Sequence, residues 1–341
     1  MKQKTRVLIA GIGGASLGTE LYKSLRLAGE YTIFGCDISQ TAFGLYEEDF
    51  ESTWLVSQEN YLDDVVNICE TEKIDVVVPG GESPNTILAA SSEVFTDRGI
   101  LLVANDKSIV NNFGDKANCF KILSDKGLKI PWTFVISEPN DLDHLVYPCI
   151  LKPSKGSGGS ANVYLALNYS EASLYYNLIR ANGKETIAQE YISDKEGEFT
   201  VGVLTNKLGE IIGSIALKRL LDSKLSTSFS NGTQIVSSGY SQGLIEDFPE
   251  VCMQAEIIST KIGSRGPLNI QGRVVNGELI PFEINPRLSA STFLRSMAGF
   301  NEIDLFIRSE LKKEGRIQIS IRKGLYLRSF TEKFVELGNL K

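Results

Sequence analysis

The sequence predicts an α/β domain followed by an α+β region, and three observations carry that reading. The first third alternates short apolar strands with amphipathic helices. The remainder is dominated by strands in antiparallel order. Near the C-terminal end, Gly266 to Gln271, an Asn276-Gly277 turn and Pro281 to Arg287 read as one polar-faced hairpin.

Arg6–Ala10 is a short apolar strand, followed by Leu17–Gly29 with Leu17, Leu21, Leu25 and Ala28 at helical spacing. Thr32–Cys36 is the next strand. Tyr61–Thr71 is a helix with Leu62, Val65, Val66 and Cys69 on one face. Ile74–Val78 and Ile100–Val103 complete a mostly parallel sheet with helices on both faces.

The character changes near Asn111 to Asp115. Lys116–Lys126 is an amphipathic helix closed by Gly127. Strands are expected at Tyr147–Pro153, Asn162–Ala166, Ile187–Tyr191, Phe199–Leu204, Ile211–Leu217, Leu268–Val275, Glu278–Ile284 and Leu325–Phe330. Helices are expected at Glu171–Ala181, Phe248–Ile262 and Glu302–Lys312. No internal repeat or low-complexity tract interrupts this order.

Length, at 341 residues, suits two or three units with substantial cores. A net charge of −7 without a basic, aromatic-interleaved stripe argues against nucleic acid as the main partner. No apolar run reaches membrane-spanning length, and the basic N-terminus enters a strand rather than a leader, so a cytoplasmic protein is expected. Cys36, Cys69, Cys119, Cys149 and Cys252 are scattered, which supports neither a zinc site nor a disulfide framework. His144, the only histidine, lies in a polar stretch and reads as a surface residue. The sequence leaves the oligomeric state open, a homodimer being the commonest soluble assembly.

Glu283 and Asn285 are two residues apart and so share a strand face, with Arg287 just beyond. A carboxylate, an amide oxygen and a guanidinium suit magnesium held against a transferring phosphate. A plain two-residue turn would aim Gln271 away from Glu283. A three-residue loop with Gly277 as a left-handed bulge would place them opposite each other, and the bulged turn is therefore expected.

Lys152 to Ser160 forms a glycine-rich loop between two strands, including Ser154, Gly156, Gly158 and Gly159. Its backbone N–H groups could close over phosphates, and Lys152 supplies a compact charge suited to a polyphosphate. Glu190, Tyr191 and Ile192 end one strand and Glu198 opens the next, a pair of carboxylates able to bracket a nucleoside. Lys218 and Arg219 are further phosphate or substrate candidates. Gly11 to Gly14 with Asp37 resembles an incomplete dinucleotide fingerprint, in which Ser16 stands at the third glycine position. An NAD-linked oxidoreductase is accordingly the alternative from another class, and a nucleotide-binding regulatory protein a third reading. Gly11 to Gly14 and Gly80 to Ser83 also lie where such sheets meet substrates.

The order of lysine, glycine-rich hairpin, nucleoside segment and metal strand resembles the ATP-grasp superfamily, closest to the branch of the carbamoyl-phosphate synthetase large subunit. The resemblance implies a Rossmann-like pre-ATP-grasp domain over 1–112, a glycine-loop subdomain over 113–187 and a metal-bearing subdomain over 188–341. It implies ATP as substrate, with Lys116 and Lys152 on its phosphates, the Ser154–Ser160 loop as cover, Glu190 and Ile192 at adenine and Glu198 at ribose. It further implies two magnesium ions on Gln271, Glu283 and Asn285, for which manganese could substitute, and Arg287 on the transferred phosphate. The implied activity is a carboxylate–amine (or ammonia) ligase working through an acylphosphate on a small-molecule or sugar acid. Carboxyphosphate or carbamoyl-phosphate formation is the related alternative, although only one ATP unit fits in this chain.

Overall fold

The computed structural model describes residues 4–13, 17–156, 162–231, 233–313 and 319–341. Its first unit contains β1 (Thr5–Ala10), α1 (Leu17–Ala28), β2 (Tyr31–Asp37), β3 (Ser52–Leu55), α2 (Tyr61–Thr71), β4 (Val76–Pro79), α3 (Glu82–Ala90), α4 (Ser92–Thr96), β5 (Leu101–Leu102) and α5 (Lys107–Gly114). The strands form a parallel sheet in the order β3-β2-β1-β4-β5. Period-two alternation explains its two cores. Val7 and Ile9 of β1 pack with Leu21 and Leu25 of α1, whereas Leu8 and Ala10 face Val65 and Ile68 of α2.

The second unit opens with α6 (Lys116–Asp125), β6 (Thr133–Ile136), β7 (Cys149–Pro153), β8 (Tyr164–Ala166), α7 (Tyr169–Ala181) and β9 (Thr186–Glu190). Its four strands are ordered β6-β9-β7-β8, all antiparallel. Then follow β10 (Glu198–Thr205), β11 (Ile211–Arg219), β12 (Thr227–Ser230), β13 (Ile235–Ser237), β14 (Gly243–Ile245), α8 (Pro249–Ile262), β15 (Pro267–Val275), β16 (Glu278–Asn285), α9 (Thr292–Met297), α10 (Glu302–Leu311) and β17 (Gly324–Tyr326). A six-stranded sheet runs β16-β15-β10-β11-β14-β17, and β12 and β13 pair separately as a small hairpin.

One face of the parallel sheet shares its core with the large sheet. Val76 and Val78 belong to the same apolar cluster as Leu217 of β11 and Leu294, Ile303 and Phe306 of α9 and α10. The two units therefore meet across buried hydrocarbon, which fixes the C-terminal end of β4 beside the end of β16. Within the first unit the ends of β1 and β4 are also close: a Cβ on Gly80 would lie 1.7 Å from the Gly11 carbonyl oxygen. Among the described residues no helix is long and apolar enough to cross a membrane.

Several expectations shift. Helices α3 and α5 were not expected, because each is short and α3 carries Pro84 in its first turn. Proline is tolerated there, since that turn's N–H groups have no intrahelical acceptor. The expected Leu325–Phe330 strand shrinks to β17, and Phe330 is exposed. The polar loop after Ser223 is partly the β12–β13 hairpin. Cys36, Cys69, Cys119 and Cys149 are buried free thiols, and His144 is exposed.

Candidate active site at the junction of two cavities

The polar hairpin forms, but not by the expected route. Val275 pairs directly with Glu278, so Asn276-Gly277 is a two-residue turn, with φ of +51° and +76° respectively. Both values are positive, as the type I′ turn requires. Glu196 clasps it, accepting from the Asn276 amide at 2.6 Å and the Gly277 amide at 3.0 Å. The bulge lies inside the hairpin instead, between the Gly272–Pro281 and Gln271–Glu283 pairs. Pro281 has no N–H for a regular ladder, and a proline within a sheet favours such a bulge. The extra residue, Phe282, turns its carbonyl to Lys152 Nζ at 3.1 Å.

The result is a single polar face. Gln271 lies opposite Glu283, and Asn269 opposite Asn285. The Glu283 carboxylate accepts from Gln271 Nε2 and Asn285 Nδ2, each at 3.2 Å. Both contacts are at the long end for N–H···O and hold the amides weakly. Asn269 was missed in the sequence, although its position two before Gln271 puts it on the same face. Its Oδ1 is fixed from behind by Thr200 Oγ1 at 2.8 Å and by the fully buried Arg295 at 2.7 Å.

Besides a smaller space between α5, α6 and the end of β16, which it shares with Lys116, Asn285 and Arg287, Glu283 borders two cavities. The first, a cleft of about 620 Å³, runs between the four-stranded and six-stranded sheets. Lys116, Lys152, Glu190, Tyr191, Ile192 and Glu198 line it, with apolar walls from Ile150, Val163, Val236 and Phe282. The second opens toward the parallel sheet and is lined by Gly80, Gly81, Glu82, Asn269, Gln271, Asn285, Arg287 and Ser289. Arg287 donates to the Leu288 carbonyl at 2.9 Å. The Glu82 carboxylate has no partner among the described residues.

Lys152 is only 5% exposed, and its ammonium rests on two neutral oxygens, Gln189 Oε1 at 2.8 Å and the Phe282 carbonyl. Burial pushes its pKa down to about 8, against the opposing pull of Glu283 and with a further push from Lys116. Ser154 is buried and spends its hydroxyl on Asp115 at 2.7 Å, which also pairs with Lys155 at 3.0 Å. Ser154 thus anchors the start of the glycine-rich loop rather than facing the cleft. Gly156 has φ of +66°, and its carbonyl takes Lys184 Nζ at 2.9 Å. Gly158 and Gly159 lie outside the described residues.

Glu198 departs from the expected ribose role. Its side chain is wholly buried between two guanidiniums, Arg219 at 3.2 Å and Arg273 at 2.9 Å. Arg219 also donates to the carbonyls of Ser238 and Tyr240, so it is not a free phosphate ligand. Lys218 points the other way, over the Phe199 ring. Arg273 reaches the Ile192 carbonyl at 2.5 Å and the Ile235 carbonyl at 2.6 Å, and lies over Tyr191. These long-range pairings tie the β12–β13 hairpin to the cleft, and no local sequence signal announces them. Glu190 accepts from the Trp132 amide at 3.2 Å.

The described residues give the dinucleotide alternative no support, and Gly14 and Ser16 lie outside them. Both oxygens of Asp37 are engaged, one by the Ile12 amide at 2.7 Å and the other by the Ser39 amide at 3.0 Å. The carboxylate that would hold an NAD ribose instead pins the Gly11 turn.

The ATP-grasp domain family matches residues 113–291, more than half of the chain. The chain belongs to the ATP-grasp family. Before that domain, residues 7–103 match the PylC-like N-terminal domain. The carbamoyl phosphate synthase large chain of Sulfolobus acidocaldarius is 23% identical over 324 residues, covering 90% of this chain and 30% of that protein. The arginine-specific large chain of Bacillus subtilis is 25% identical over 309 residues, covering 84% of this chain and 28% of that one. This ATP-grasp chain therefore spans less than a third of the length of these relatives. Among solved structures, N5-carboxyaminoimidazole synthetase from Staphylococcus aureus complexed with ADP shares the fold, with a TM-score of 0.67 at 16% identity over 94% of this chain and 81% of that one.

Proposed function

We propose that this chain is an ATP-dependent ligase that joins a small-molecule carboxylate to an amine through an acylphosphate. One observation carries the reading: Glu283 stands where the lysine-bearing cleft meets the cavity holding Arg287. A triphosphate lying in the cleft would present its terminal phosphate at that junction. The acceptor carboxylate would approach from the side of Gly80 and Glu82.

Gln271, Glu283 and Asn285 fit a hard divalent cation. Their donors are all oxygens, only one is charged, and among the described residues no cluster of three His, Cys, Asp or Glu competes for a softer ion. These three residues would hold magnesium, one ion or two, with manganese as a substitute. When bound, the metal neutralises charge on the phosphates it shares with the protein. Lys152 and Lys116 would hold phosphate oxygens from the cleft side, and Arg287 would take the transferred group from the other. The backbone around Glu190 to Ile192 would meet the base, and the apolar walls would exclude water from an intermediate that hydrolyses readily. No side-chain nucleophile is required.

Similarity to carbamoyl phosphate synthase large chains favours a second reading, phosphorylation of bicarbonate. The two are separated by measuring ADP release from MgATP against a panel of carboxylates with and without amines. ADP release requiring both an organic carboxylate and an amine supports the ligase. Release with bicarbonate alone supports the second reading, and release with no acid in the panel refutes both.

A further inference from the structure

Among the described residues Lys152 makes no ion pair or hydrogen bond with a carboxylate. Of its three N–H bonds, one goes to Gln189 Oε1 and one to the Phe282 carbonyl, which leaves the third for a ligand in the cleft. The direction of that third bond therefore depends on the two oxygens behind it.

Gln189 is itself held. It is 2% exposed, and its Nε2 donates to Thr133 Oγ1 at 3.0 Å. Thr133 spends its own proton on the Pro131 carbonyl at 3.1 Å, so its oxygen can only accept from Gln189. A flipped amide would set N–H groups against the ammonium and leave the Pro131–Thr133 bond without its continuation. The backbone enforces the same alignment, since Gln189 pairs with Thr133 on one side and with Ile150 of the lysine strand on the other.

We propose that Gln189 is a positioning residue for Lys152, and that Thr133 sets which end of its amide faces the ammonium. A neutral acceptor suits this task. A glutamate there would take the lysine's charge for itself and compete with the phosphate, whereas an amide oxygen orients the ammonium without neutralising it. The edge strand β6 thereby acquires a role in nucleotide binding through its pairing with β9. This inference rests on the reading of the cleft as a nucleotide site.

The test is calorimetric titration of the full-length protein and its variants with MgATP. Gln189→Leu should weaken binding roughly tenfold, the loss expected for a hydrogen bond to a charged group, and Thr133→Val, which removes a neutral bond, by about fivefold. Thr133→Ser, which keeps the hydroxyl, should bind within about twofold of the wild type. In a Lys152→Met background, Gln189→Leu should have no further effect, because its only route to the nucleotide is gone. A loss of equal size in both backgrounds, or none in either, overturns the proposal. If Gln189→Leu does not fold, the Thr133 pair decides: equal affinities for Val and Ser overturn it. A Lys152→Met protein that binds MgATP like the wild type overturns the nucleotide reading of the cleft, a failure distinct from the others.

Discussion

Glu198 and Glu283 are both carboxylates at strand positions lining the same cleft, yet their surroundings are opposite. Glu198 is closed off between two guanidiniums and carries the β12–β13 hairpin through them. Among the described residues Glu283 has only two long amide contacts, and it borders three cavities. A buried charge paired with fixed opposite charges is a structural element. A charge left with weak, neutral neighbours is available to a ligand. Residue type and spacing do not separate the two cases; the partners do.

That contrast gives its own tests, from the largest effect to the smallest. Glu283→Ala should lower turnover by on the order of a hundredfold or more, since even outer-shell groups at metal sites reach that range. Its urea unfolding midpoint should stay near that of the wild type. Glu198→Gln should do the reverse at the level of folding. Removing one partner from a buried ion cluster leaves uncompensated guanidinium charge and costs roughly 3–5 kcal/mol, readable by urea unfolding. If Glu198→Gln folds with full stability but loses nucleotide, the ribose role returns and the contrast breaks.

A smaller effect follows from Lys152. Its folded pKa of about 8 lies below the ordinary lysine value of 10.5, with burial as the main cause. Between these values the unfolded chain binds more protons, so this residue's contribution to stability rises with pH across that window. Nucleotide affinity should move oppositely, because only the ammonium form attracts phosphate. MgATP titrations at pH 7 and pH 9 should show weaker binding at the higher pH, and Lys152→Met should abolish the difference.

Much of this was legible in the sequence because it is local. The apolar strands at β1 and β7, the place of the Asn276-Gly277 turn and the shared face of Glu283 and Asn285 follow from residue type and spacing alone. Gln271 was placed opposite Glu283 correctly but for the wrong reason: the glycine turn is regular, and Pro281 supplies the bulge. What stayed hidden depends on distant partners. Arg273 and Arg219 converge on Glu198 from strands β15 and β11, and Thr133 reaches Gln189 across a sheet edge. Ser154 looked like part of a phosphate cover until Asp115 proved to be its partner. Helix α3 escaped because it is short and carries Pro84 in its first turn.

The central claim is that Gln271, Glu283 and Asn285 hold the metal of a bound nucleotide. Electron paramagnetic resonance of Mn²⁺ with ATP, in the presence of the wild type and of Glu283→Ala, tests it most directly. A protein-bound Mn–ATP signal is expected with the wild type and should disappear with the variant. The same bound signal in both proteins would contradict it.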